Sequence, residues 1–115
     1  MDNPYFNILC HPTGRLIQER KPYEVNMERV LKAAGERGCA LEVNAHPDRL
    51  DLDDIHCKLA KEIRVKVVIA TDAHRKDDLD FMRFGVGQAR RGWLEAGDVL
   101  NTRSWRELKK FFTRK

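Results

Sequence analysis

"VVIATDAHRKDD", residues 67–78, runs from β-branched apolar residues straight into Thr71, Asp72, Ala73 and His74, after which charges begin. Residues 65–70 are the most strand-like segment of the chain, with the apolar character expected of a strand buried on both faces. Its end presents a carboxylate and an imidazole two residues apart. In an extended segment such residues point the same way. In parallel α/β structures the loops after the C-terminal strand ends build the active site. Asp72 and His74 are therefore candidate ligands for one cation. D-x-H alone is a weak signal, because most such pairs are surface or capping residues.

Working outward, residues 7–10 form a short apolar run stopped by His11-Pro12. His11 thus also follows a strand and can meet Asp72 and His74 from another direction. Imidazole and carboxylate together suit Zn, Mn or Fe. From Tyr23 onward, Met27, Val30, Leu31 and Ala34 recur at helical spacing, and Gly38 stands where a C-capping glycine belongs. Residues 40–44 read as a second strand broken by His46-Pro47. Leu52, Ile55, Leu59 and Ile63 mark the apolar stripe of a second helix, with Asp51 or nearby acids at its positive end. Residues 77–91 are helical, with Gly85 and Gly87 marking close packing or a bend. Ser104 to Glu107 is a capping box opening a last helix, whose apolar side is Trp105, Leu108, Phe111 and Phe112. The order β-α-β-α-β-α-α implies parallel strands joined by right-handed crossovers. Three strands cannot close a barrel, so this is a small open sheet or a segment of a larger α/β structure.

Size and composition narrow the class. The 115 residues, 42% hydrophobic and 35% charged, make one domain or part of one. The apolar runs are too short to cross a bilayer, and residues 1–4 do not open a signal peptide, so a cytoplasmic location is expected. Cys10, Cys39 and Cys57 form no paired framework and read as reduced, packed thiols. The net charge is +4, and residues 103–115 hold six Lys or Arg against Glu107 alone. That tail suits a polyanion, though a solvated amphipathic helix end looks the same.

Other polar residues carry two readings each. Glu42 and Asn44 share one face of the second strand, where they either orient a ligand or serve strand-end hydrogen bonding. His46 is by default a loop histidine, and His56 a histidine at the edge of the core. Arg15 follows the His11 turn and suits a substrate phosphate or an ordinary turn; Arg49 is a weaker case of the same. Arg90, Arg91 and Trp93 resemble a basic-aromatic nucleic-acid patch, against the commoner helix end with its aromatic in the core. Gly85-Val86-Gly87 is no dinucleotide loop, since it sits in a helical pattern and Arg90 takes the third glycine's place. Cys10 adjoins His11, but alternation sends the two to opposite sides.

The segments "ILCHPTGRLI", "LEVNAHPDRLDL", "ATDAHRKDDLDFMRFGVGQARRGWL" and "VLNT", in this order, resemble the C-terminal half of the PHP (polymerase and histidinol phosphatase) domain of bacterial family X DNA polymerases. The resemblance covers essentially residues 1–115. It implies a segment of a distorted (β/α)7 barrel, here an incomplete one with about three parallel strands and flanking helices. It also implies His11, Asp72 and His74 as metal ligands. The cofactor implied is a divalent metal, Mn or Zn, with Fe or Mg as further choices. The family's activity is a metal-dependent 3′-5′ exonuclease or phosphodiesterase beside gap-filling repair synthesis, so DNA is the implied partner.

The family's H-x-H segment and further His, Glu and Asp ligands are not in this chain. The expectation is a weak, incomplete metal site and no nuclease activity in isolation. Unpaired strand edges invite a second copy, hence a homo-oligomer. Two other readings stand beside the first. One is a PHP-family phosphatase of a small phosphomonoester; the other is a non-catalytic scaffold that holds structure or DNA.

Overall fold

The computed structural model describes residues 5–19, 21 and 26–113. Its order is β1 (Ile8–Leu9), α1 (Met27–Arg37), β2 (Ala40–Asn44), α2 (Asp54–Ile63), β3 (Val67–Ala70), a 3-10 helix (Lys76–Phe81), α3 (Met82–Arg91), two 3-10 turns (Ala96–Asp98, Leu100–Thr102) and α4 (Trp105–Phe112). The expected start of α1 near Tyr23 falls on residues 22–25, outside the described residues. Within them, α1 opens at Asn26, whose side chain accepts from the Arg29 amide. It closes at Gly38, where φ of 67° lets the N–H reach back to Ala34 and Gly35.

The three strands are parallel, in the order β1-β2-β3, with Ile8 opposite Ala40 and Leu41 opposite Val67. The open, parallel, helix-flanked sheet is the one the sequence implied. Leu41 and Val43 on β2, with Val67 and Ile69 on β3, form the core with Leu31, Ala34, Cys57, Ala60 and Ala89 from three helices. Each fully buried leucine or valine there contributes about 1.5–3 kcal/mol relative to exposure. Gly85 brings α3 down onto the sheet, since a Cβ there would collide with Ile69 and Ala45. Gly87 has open space around its Cβ position, so it does not mark close packing.

Four expectations need correction. β3 is not buried on both faces: Val67 and Ile69 are buried while Val68 and Ala70 are partly exposed, and β2 is the strand buried throughout. The reason is sheet order, because β2 lies between the other two strands. Beyond β3, among the described residues, lie a parallel bridge from Val67 to Val99 and the Asn101 side chain, which pairs with the N–H and C=O of Ile69. α2 turns Cys57 and Ala60 inward and leaves Ile55 72% exposed. Its N-cap is Asp53, one of the acids expected at that end, which accepts from the His56 amide.

Trp93 is 72% exposed and not in the core. Gly92 presses against Cys57, Trp93 takes a left-handed φ of 65°, and Leu94 fills the interior. Finally, α4 has its predicted cap, Ser104 accepting from the Glu107 amide, but buries no residue fully, and Trp105 is 70% exposed. Leu108 and Phe112 only line a shallow apolar depression with Ile8 and Val68. No helix among the described residues is long and apolar enough to cross a membrane.

Candidate site at the strand ends

The chain leaves β1 abruptly. His11 has φ of 47° and Gly14 has φ of 67°, so the backbone turns through left-handed conformations. Such a conformation is uncommon outside glycine and persists only when surrounding contacts hold it. On one side the His11 amide donates to Glu42 Oε1 at 3.1 Å. On the other, the fully buried Asp51 carboxylate accepts from the Thr13 amide (3.1 Å to each oxygen), Thr13 Oγ1 (2.9 Å) and the Gly14 amide (2.8 Å). The departure from extended geometry also overturns the alternation argument for Cys10. Burial first, and then the Glu42 carboxylate, push its thiol pKa up, so Cys10 and His11 both lie beside Glu42.

Asn44 ends β2 with its side chain completely buried. Its Oδ1 accepts from the His46 amide at 3.0 Å, which fixes the amide orientation. Nδ2 then faces three acceptors: His11 Nδ1 at 3.2 Å, Glu42 Oε1 at 3.4 Å and Asp72 Oδ2 at 3.4 Å. Because Asn44 is the donor, the lone pair of His11 Nδ1 points into this cluster. Asp72 arrives from the end of β3 with its own left-handed φ of 54°. Its Oδ2 lies 3.8 Å from Arg49 Nε.

His74 is differently placed. Its Nδ1–H donates to the Asp72 backbone carbonyl at 2.8 Å, and its amide donates to Asp78 Oδ2 at 3.1 Å. That amide is the main reason the Asp78 carboxyl is held below the ordinary carboxylate range; burial opposes the shift, and Arg75 adds to it. His11 and Asp72 therefore converge through Asn44, while the His74 ring turns back onto its own loop. Among the described residues no group of three or more His, Cys, Asp or Glu is arranged to hold a metal ion.

Arg15 is half-buried, and Nε and one Nη donate to the carbonyls of Arg49 (2.8 Å) and Leu50 (2.6 Å). The arginine beside the candidate carboxylate is Arg49. Sequence reasoning left the joint role of Glu42 and Asn44 open and gave Asp51 no part in the site. The signal was present: Glu42 and Asn44 interrupt an apolar strand at alternating positions, between Leu41 and Val43 and beyond it. Polar groups on a central strand must face partners. Asp51 gave no comparable signal, since an acid two residues before a helix cap looks like any other. The His46 ring packs edge-on against Phe81 at 5.0 Å, and His56 sits 3.0 Å from Asp53.

No protein-family model matches the chain. It is 44% identical over 114 residues, 99% of its length, to the DNA polymerase/3′-5′ exonuclease PolX of Bacillus subtilis (strain 168). It is 29% identical over 106 residues, 87% of its length, to a probable phosphatase of Thermoanaerobacter sp. (strain X514). Over 78 residues, 63% of its length, it is 33% identical to a probable phosphatase of Caldanaerobacter subterraneus subsp. tengcongensis. The chain spans 20% of the polymerase and 41% and 28% of the two phosphatases. The likeness to a segment of a family X polymerase thus runs along this whole chain, and the likeness to the phosphatases is weaker.

Proposed function

We propose that residues 1–115 are one segment of the PHP domain of a bacterial family X DNA polymerase acting in the cytoplasm on DNA. The segment contributes part of a divalent-metal site for 3′-5′ exonucleolytic phosphodiester cleavage. The observation that carries this reading is the convergence of His11 and Asp72, from the ends of two different strands, on the Asn44 amide. The 44% identity to PolX along the chain supports the activity class.

In this reading His11 and Asp72 hold the metal, Mn or Zn before Fe or Mg, with His11 Nδ1 exchanging its Asn44 hydrogen bond for the ion. His74 adds Nε2, the ring nitrogen left with a lone pair once Nδ1 is tied to the backbone. A divalent ion, when bound, lowers the pKa of an attacking water and neutralises developing phosphate charge. Arg49 stands nearest the candidate carboxylate and is the better phosphate contact; Arg15 holds the loop that carries it. Two donors gathered and a third turned aside make an incomplete set, so the 115-residue chain binds metal weakly and cleaves no DNA alone. The edge of β1, paired only with β2 among the described residues, is where more chain or a second copy adds.

The test is calorimetric titration of the chain with Mn2+ and Zn2+, beside His11→Ala and Asp72→Ala. Weak wild-type binding, cut at least tenfold by each substitution, supports the reading. Affinity indifferent to both substitutions sinks it. An exonuclease rate of the isolated chain that depends on Asp72 overturns the claim that the site is incomplete. The second reading, a phosphatase of a small phosphomonoester, is favoured by the two probable phosphatases. Metal-dependent hydrolysis of a nitrophenyl phosphate by a longer protein carrying this segment, with no attack on DNA, would select it.

A further inference from the structure

We propose that Asp51 is a positioning residue: its buried carboxylate sets the backbone turn that aims the His11 imidazole at Asn44 and Asp72. A fully buried carboxylate is costly unless its lone pairs are satisfied. Asp51 forms no ion pair among the described residues, and its side-chain partners are neutral donors, the amides of Thr13 and Gly14 and the Thr13 hydroxyl. All of them belong to the turn two and three residues past His11. The charge is therefore spent on one short loop, thirty-seven and thirty-eight residues away in sequence.

The turn it holds departs from ordinary backbone geometry. His11 and Gly14 both have positive φ, and the Gly14 amide also reaches the His11 carbonyl inside the turn at a long 3.2 Å. Asp51, in turn, is not free to move. Its backbone forms an antiparallel bridge with Asn44, the residue whose amide touches both His11 and Asp72. The same pair of loops is joined again by Arg15 to the carbonyls of Arg49 and Leu50, and by the Ile17 amide to Asp48. Asn44 thus fixes Asp51, Asp51 fixes the turn, and the turn presents His11 back to Asn44. Removing the carboxylate opens this ring at a fully buried point. Asparagine is nearly isosteric, but its NH2 would face the N–H groups that the second carboxylate oxygen accepts.

The consequence for metal binding rests on the proposed function; the positioning itself does not. The experiment uses the 115-residue chain, Asp51→Asn, and Leu31→Ala as a matched loss of stability in the α1 core. Long-range 1H–15N spectra of the imidazoles and amide exchange at Thr13 and Gly14 are recorded without metal, under conditions where all three proteins are folded. Zn2+ titration follows. The expected result for Asp51→Asn is a shifted His11 ring signal, exchange at Thr13 and Gly14 faster by an order of magnitude or more, and Zn2+ affinity lower by about 10–100-fold. Leu31→Ala should leave the His11 signal and the affinity within twofold of wild type.

An unchanged His11 signal in Asp51→Asn, or equal changes in both variants, overturns the proposal. Should Asp51→Asn fail to fold, Thr13→Val removes the hydroxyl donor alone, and the same His11 and Gly14 readouts decide. Should the wild-type chain bind no Zn2+, the functional reading fails while the metal-free spectra still decide on Asp51.

Discussion

The imidazole of His74 is bonded to the backbone of Asp72, with Nδ1 2.8 Å from the carbonyl oxygen. A carbonyl only accepts, so Nδ1 carries the proton in the neutral ring and Nε2 carries the lone pair. Long-range 1H–15N correlation at high pH should show His74 as the Nδ1–H tautomer and His11 as the Nε2–H tautomer, with its Nδ1 accepting from Asn44. The opposite assignment for His11 would mean that its accepting nitrogen points away from Asp72.

The acid side of the stability profile should depend on Asp78. Its carboxyl is held below the ordinary carboxylate range by the His74 amide against the opposing effect of burial. A group with a depressed folded pKa contributes stability that is present above its unfolded value, about 4 for aspartate, and lost as pH falls through the folded one. Thermal melts from pH 6 down to pH 2 should therefore show a shallower acid limb for Asp78→Asn than for wild type. Parallel limbs would show that the His74 amide bond is not formed in solution.

The three thiols should separate by reactivity. Burial first, and then Asp53 and Asp54, push the Cys57 pKa up to about 12, so almost no thiolate exists at neutral pH. Cys39 is buried, and Cys10 is exposed. At pH 8, iodoacetamide should label Cys10 first, more slowly than a free thiol because its own pKa is raised, and reach Cys39 and Cys57 only on unfolding. Early labelling of Cys57 would contradict the packing of α2 against Gly92.

Two glycines in α3 should respond to alanine in opposite directions. At Gly85 the new methyl meets Ile69 and Ala45 in the core, an overpacking that costs about 1–3 kcal/mol. At Gly87 nothing lies in the way, and alanine's greater helix propensity should stabilise by about 0.5–1 kcal/mol. Denaturant melts of both variants test the pair; a neutral or stabilising Gly85→Ala would remove the close approach of α3 to the sheet.

The sequence by itself determined the strands, the helices and their order. Residues 40–44 became β2 as read, Gly38 capped α1, and Ser104 capped α4, because apolar periodicity and capping are local properties of neighbouring residues. It also determined that His11 and Asp72 fall at strand ends. What it could not carry was anything set by neighbours distant along the chain. Ile55 and Trp93 have the chemistry of core residues, yet the phase of α2 and the end of α3 at Gly92 turned both to solvent. Asp51 and Asn44 looked like an ordinary helix-start acid and a strand-end amide. Only the tertiary structure decided that one grips the His11 turn and the other joins His11 to Asp72. The physical reason is that a buried polar group is defined by which distant donors and acceptors reach it, and that pairing exists only once the strands are side by side.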